Sequence, residues 1–202
     1  MKVKLWVIGL IITSGFLLLI YTLPAITANL SMLKDTGRPV PAEVIEIVDA
    51  QTLLVRFQNR KEHCIVLNGI NTPLRQQDGY RRSVLGIIDL VQGHFRNHIL
   101  VKTDAVLSSK VWLASIYDLN NETSGNLALI RFGYAWPDTY LSEDTEQNSN
   151  YLTEAKAALA EAKKNTRGHW AGIHIGELPK EPQQSYLVQL QKNGHTSEQC
   201  QP

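Results

Sequence analysis

PAEVIEIVDAQTLLVRFQNRKEHCIVLNGINTPL, residues 41–74, is the stretch whose reading decides the fold. It holds three β-branched runs, at 44–48, 52–57 and 64–70, with polar residues between them. Val, Ile and Phe fit a pleated, half-buried surface, whereas Asp, Asn, Gln and Arg collect in turns, so the spacing predicts a meander of three strands. Pro73 has no N–H to give to a ladder, and the third strand closes at Asn71-Thr72-Pro73.

Downstream the period changes. Residues 74–82 are a polar connection with Gly79 as a breaker. Val84, Leu85, Ile87, Ile88, Leu90 and Val91 then recur at three-to-four spacing, which predicts a helix with Ser83 placed to cap it and Gly93 to stop it. Residues 98–102 and 111–117 read as a fourth and a fifth strand. A turn at Asn120-Asn121 and Ser124-Gly125 leads into a short helix over 127–132 that ends at Gly133. After a polar loop at 141–150, Asn150 caps a last helix whose apolar face holds Leu152, Ala155, Leu159 and Ala162. Gly168-His169-Trp170 terminates it. The order of three strands, helix, two strands, helix, helix predicts an α+β domain. Its form is a five-stranded OB-type Greek-key β-barrel with about three packed helices.

Upstream, Met-Lys-Val-Lys is followed by an uncharged apolar run at 5–23. At about 1.5 Å per residue it spans a hydrocarbon core of roughly 30 Å. Signal-peptide apolar regions are shorter, and Leu23 and Ile26 make poor −3 residues for cleavage after Ala25 or Ala28. The reading is a single-pass transmembrane helix, a signal-anchor at 1–28, favoured over a cleaved signal peptide. Lys2 and Lys4 stay inside, and the domain lies on the extracytoplasmic, periplasmic side. Residues 29–40 are a linker, 41–172 the domain, and 173–202 a flexible tail with a short helix at 185–191.

The chain carries 20 Lys and Arg against 19 Asp and Glu. Two of the lysines precede the apolar run, so the rest has one more acidic than basic residue, which weighs against holding nucleic acid mainly through its phosphates. Cys64 and Cys200 lack metal-type spacing; a disulfide that pins the tail in an exported domain, and two separate thiols, both stand open. The six histidines show no ligand spacing and read as surface or packing residues. Trp112 and Trp136 read as core, and no serine elbow or phosphate loop occurs.

Asp49-x-x-Thr52, then Leu67-x-Gly69-Ile70-x-Thr72-Pro73, then Gly125-Asn126 through Gly133-Tyr-Ala-Trp136, then Arg167-Gly-His-Trp170, in that order, resemble the staphylococcal nuclease (thermonuclease) family over about 41–172. The resemblance implies an SNase domain on an OB-fold. It also implies a phosphodiesterase whose metal, usually Ca²⁺, takes two Asp side chains and a Thr carbonyl, while two Arg meet the phosphate and a Glu positions the water. Here those positions are changed: one metal Asp is Gln51, the other is Asn71, the arginines are Val66 and Val111, and the glutamate is Leu74. Amide oxygens without charge make a weak hard-cation site, and valine cannot contact phosphate.

The resemblance therefore implies a pseudoenzyme, with no catalytic or metal residue and no cofactor. It would be a membrane-anchored binding or assembly module with a protein partner in the cell envelope. The candidate contact residues are the vestigial groove, Asp49, Gln51, Asn71 and Thr72, and the adjacent loop, Arg75, Asp78, Arg81 and Arg82. Two alternatives stand beside it. One is a divergent nuclease that uses Ca²⁺ with stand-ins such as Asp78, the loop arginines or Lys110. The other is an inactive nucleic-acid binder.

Overall fold

The computed structural model describes residues 37–138, 146–171 and 200. The apolar run at 5–23, the segment at 185–191, His174 and His195 lie outside the described residues. Strands β1 (Val40–Ile47), β2 (Thr52–Phe57), β3 (Glu62–Leu67), β5 (His98–Val106) and β6 (Val111–Tyr117) close into a barrel in the order β1-β2-β3-β6-β5. All neighbours are antiparallel except β3 and β6, which run parallel with Cys64 opposite Val111 and Val66 opposite Leu113. The short strands β4 (Ile70–Asn71) and β7 (Trp136–Pro137) pair outside the barrel.

Period-two alternation aims one side of each strand inward. Leu53 and Val55, Ile65 and Leu67, Ile99 and Val101, and Ala114 and Ile116 fill the interior. Helices α1 (Tyr80–Ile88), α2 (Gly125–Arg131) and α3 (Glu146–Lys164) add Ile87, Leu129, Ile130, Ala155 and Ala158 to the same core. Asn126, fully buried, ties α2 to the barrel. Its Nδ2 donates to Asn68 O at 2.8 Å, and its Oδ1 accepts from Ile116 N at 3.0 Å. Gly69 turns β3 into β4 at φ +70°, and a Cβ there would sit 2.4 Å from the Tyr151 ring, so only glycine serves.

The expected boundaries shift at several places. β1 begins at Val40, inside the expected linker, because residues 40–43 pair with β5. β5 runs to Val106 across an irregularity between Thr103 and Ala105 that breaks its alternation. Ser83 does not cap α1: the helix starts at Tyr80 behind Gly79, and Ser83 is buried in its middle. Nor does Gly93 stop it. The helix widens into a π-helical turn, Asp89–His94, and ends at Phe95. Asn150 is not a cap either, because α3 already begins at Glu146 in the expected loop. Ser124, expected in a turn, caps α2 by accepting from Leu127 N at 3.3 Å.

Candidate functional site

The turn between β1 and β2 and the chain leaving β3 are bound together by Gln51. The two Nε2 hydrogens point to Leu67 O at 2.9 Å and Ile70 O at 2.7 Å, and Oε1 accepts from Thr72 Oγ1 at 3.2 Å. Only this amide orientation satisfies two acceptors and one donor together. The backbone supports it: Gln51 N donates to Asp49 Oδ1 at 2.8 Å, and Leu67 N to Gln51 O at 2.9 Å. Gln51 is 2% exposed, and Asp49, Asn71 and Thr72 are buried with it. A group that donates two hydrogens to carbonyl oxygens thus stands where the resemblance implies a metal-binding carboxylate.

Next to this bracket the chemistry is different. Val66 on β3 and Val111 on β6, two register positions apart across the β3–β6 pair, point outward from the barrel. They join Val48, Leu54, Cys64 and Cys200 in a second buried apolar cluster, with Leu74 and Leu113 packed against it. Cys64 is bonded to Cys200, with Cα atoms 5.5 Å apart, so of the two alternatives for the cysteines the structure has the disulfide. The three positions at which the resemblance implies arginine, arginine and glutamate come together in space, and all three carry apolar side chains. Nothing in that cluster can neutralise a phosphate or hold a proton.

The adjacent loop is ordered by its own turns. Leu74 N donates to Gln77 Oε1 at 2.9 Å and Gln77 N to Leu74 O at 2.8 Å. Arg75, Asp78 and Arg81 are exposed. Arg82 is exposed too, but its Nη1 donates to Gly168 O at 3.0 Å and so ties α1 to the turn after α3. The eight candidate residues therefore divide into a buried four and a solvent-facing four. Lys110 lies at an exposed strand edge, where its carbonyl accepts from Cys64 N.

Under the loop lies a pair that resembles a serine–histidine dyad. Ser83 Oγ is 2.9 Å from His169 Nε2 and 2.6 Å from Tyr134 O. The carbonyl can only accept, so the hydroxyl proton is spent on Tyr134 and His169 must donate to the oxygen. Such a histidine is no base toward serine. Burial first, and Arg82 next, push its pKa down to about 4 against an opposing bond to the Tyr134 backbone. His169 is seated by Gly168, which takes φ +54° where a Cβ would meet Gly133 O at 2.3 Å. Among the other described histidines, His63 stacks on Trp112 with centroids 3.9 Å apart. Burial and then Lys61 lower its pKa, while His94 and His98 are exposed. Trp136 is buried against His169, and Trp112, half-buried, packs against the core as expected.

An open groove of about 700 Å³ beside β6 and α2 did not emerge from sequence reasoning. Tyr117, Ser124, Arg131, Asn150 and Glu154 line it, and Tyr151 closes its floor. The Tyr151 hydroxyl is buried with no hydrogen-bond partner among the described residues, and burial pushes its pKa up. Five residues of the expected loop, 146–150, belong to α3, and this misplacement hid one wall of the groove. No protein-family model matches the chain, and no curated protein matches it.

Proposed function

We propose that this chain is a non-catalytic binding or assembly module: a degenerate SNase-like OB domain tethered to the membrane by residues 5–23. It stands on the extracytoplasmic side with a protein partner in the cell envelope. One observation carries the reading. The positions that would hold charge for phosphodiester hydrolysis are a neutral amide bracket at Gln51 and an apolar cluster at Val66, Val111 and Leu74. Transition-state charge on phosphoryl oxygens needs fixed cations, and water needs a placed acceptor; neither stands there. The closed five-stranded barrel, with β3 parallel to β6, is consistent with an OB-type Greek key and supports the resemblance. The Cys64–Cys200 bond supports an oxidising compartment, since thiols stay reduced in the cytosol.

The test incubates the purified full-length chain with single- and double-stranded DNA and RNA in Ca²⁺, Mg²⁺ or Mn²⁺. No cleavage is expected. Metal-dependent cleavage lost on Asp49→Ala or Asp78→Ala overturns the reading. A salt-dependent gel shift without cleavage moves it to nucleic-acid binding. For the partner, isolation from detergent-solubilised membranes should yield a stoichiometric envelope protein; recovery as a free monomer counts against it.

A further inference from the structure

One end of the barrel carries cations for which the fold has no use. Neighbouring strands are antiparallel except β3 and β6, so β1, β3 and β6 start, and β2 and β5 finish, at the same end. Three connections meet there: the entry to β1 at 37–39, the β2–β3 turn at 58–61 and the β5–β6 tip at 107–110. They hold Arg38, Arg60, Lys61 and Lys110 and no acid, although the chain beyond Lys4 has one more acidic than basic residue. All four are exposed, and among the described residues none is in an ion pair. Glu43, Glu62 and Asp104, on the adjoining strands, are engaged elsewhere. Arg56 meets Glu62 at 2.8 Å and Glu43 at 3.6 Å, and Asp104 accepts from Asn68 and Ser115.

Two details set this end apart from an ordinary solvated face. Arg60 stands at φ +63°, a left-handed position that favours Gly or Asn, while Asn59 and backbone bonds from Phe57 to Arg60 and Lys61 already close the turn. At the tip, Val106 and Leu107 are 45% and 50% exposed close to Lys110, and Ser108 holds the turn by accepting from Val111 N at 3.1 Å. Cations around exposed aliphatic side chains match an anionic bilayer: lipid phosphates attract the charge, and the headgroup boundary takes up Val and Leu. Nucleic acid would reward the charge alone. The chain also enters the barrel at this end, at Gly37, thirteen residues after the apolar run at 5–23.

We propose that this end of the barrel docks on the surface of an anionic lipid bilayer. Val106 and Leu107 enter the headgroup region, and Arg38, Arg60, Lys61 and Lys110 meet lipid phosphates. The proposal deepens the membrane-tethered reading and rests on it for the choice of a lipid surface. Docking leaves the opposite end of the barrel, with the β1–β2 turn and Gln51, facing away from the membrane and open to a partner.

The test places the photo-crosslinking residue p-benzoyl-phenylalanine at Leu107 in the full-length chain, mixed with vesicles of phosphatidylcholine with or without phosphatidylglycerol. Irradiation should give a lipid adduct that is about fivefold more abundant with phosphatidylglycerol. The same residue at Leu119, which is 57% exposed just beyond the other end of β6, should give none. Arg60→Gly/Lys61→Gln/Lys110→Gln should cut the Leu107 adduct roughly tenfold. Its urea midpoint should hold or rise, because glycine suits the left-handed turn position. Equal adducts in the two vesicles, equal adducts at Leu107 and Leu119, or an unmoved variant overturn the proposal. So does a DNA gel shift that the variant loses when no lipid adduct forms, which assigns the patch to nucleic acid. Flotation separates the two readings. A chain that floats with both vesicles and gives no adduct keeps the tether and loses the docking. One that floats only with phosphatidylglycerol and gives the adduct keeps the docking and loses the tether, and one that floats with neither loses both.

Discussion

The Gln51 bracket and the Val66–Val111 face are neighbours, and they dispense with charge in opposite ways. At the bracket a buried polar side chain remains, with each hydrogen-bonding atom satisfied by Leu67 O, Ile70 O or the Thr72 hydroxyl. At the face polarity is gone, and apolar side chains lie under a disulfide. The difference follows from what surrounds each position. The bracket lies among backbone carbonyls that need donors whatever the side chain, so an amide fits and an alkyl group would orphan them. The face lies on an outer sheet surface where no backbone group is left unpaired, so valine costs nothing there once something covers it.

The sharpest break of this comparison is Val66→Arg, which restores the charge implied by resemblance. The guanidinium would enter an apolar, fully buried site with no acid among the residues of that cluster. The cost of an unpaired buried ion is several kcal/mol, so a loss above about 5 kcal/mol is expected. Urea denaturation should show the domain largely unfolded. A stable variant would mean that the cover on the face lifts readily. Cys200→Ser comes next. The bond closes a loop with a sequence separation of 136, for which the chain-entropy relation gives about 5 kcal/mol, and strain or residual structure reduces this toward about 3. The midpoint in urea should fall and the slope rise, because the denatured chain without the cross-link exposes more surface.

The bracket side is broken more gently. In Gln51→Glu the side chain keeps its shape, but two donors become acceptors facing Leu67 O and Ile70 O. A loss of about 3 kcal/mol is expected at neutral pH, from two orphaned carbonyls and a buried carboxylate. The glutamate should titrate well above its usual range, so the deficit should shrink as pH falls toward 5 and one donor returns. If Ca²⁺ restores the stability of Gln51→Glu, the bracket still has the shape of a cation site, and the contrast between the two regions is one of charge alone.

How far the sequence could carry this is a matter of range. The inward alternation of Leu53 and Val55, or Ile65 and Leu67, is local and was legible, and so were the strand order and the three helices. Pro41 disguised the start of β1 as linker, because it pairs with Leu100, 59 positions away. Ser83 looked like a cap because its partner His169 lies 86 residues along the chain. The covered face did leave a signal. Cys64-Ile65-Val66-Leu67 and Val111-Trp112-Leu113-Ala114 are unbroken apolar runs, and in a barrel that needs polar residues outward such runs mean both faces are buried. The bonding of Gln51 left none, since a lone glutamine in a turn carries no mark of its two carbonyl partners.

The Ser83–His169 pair is a second neutral bracket, and unlike Gln51 it can be broken by acid. His169 must be neutral to satisfy its place: with its pKa near 4 in the fold against 6.5 in an open chain, the unfolded state binds the proton first. Stability from this residue is therefore complete above pH 6.5 and falls as pH drops through the window down to about 4. The loss over the window is roughly 3 kcal/mol. His169→Gln keeps a donor toward Ser83 but has nothing to protonate. Denaturation midpoints of the two chains, compared from pH 7 to pH 4, should converge as pH falls, the parent losing more. Parallel curves would mean that solvent reaches the ring and that its burial against Trp136 is looser than the 4.6 Å centroid distance implies. Convergence would divide the molecule's neutral sites into one that acid opens, at His169, and two that it leaves closed, at Gln51 and under the disulfide.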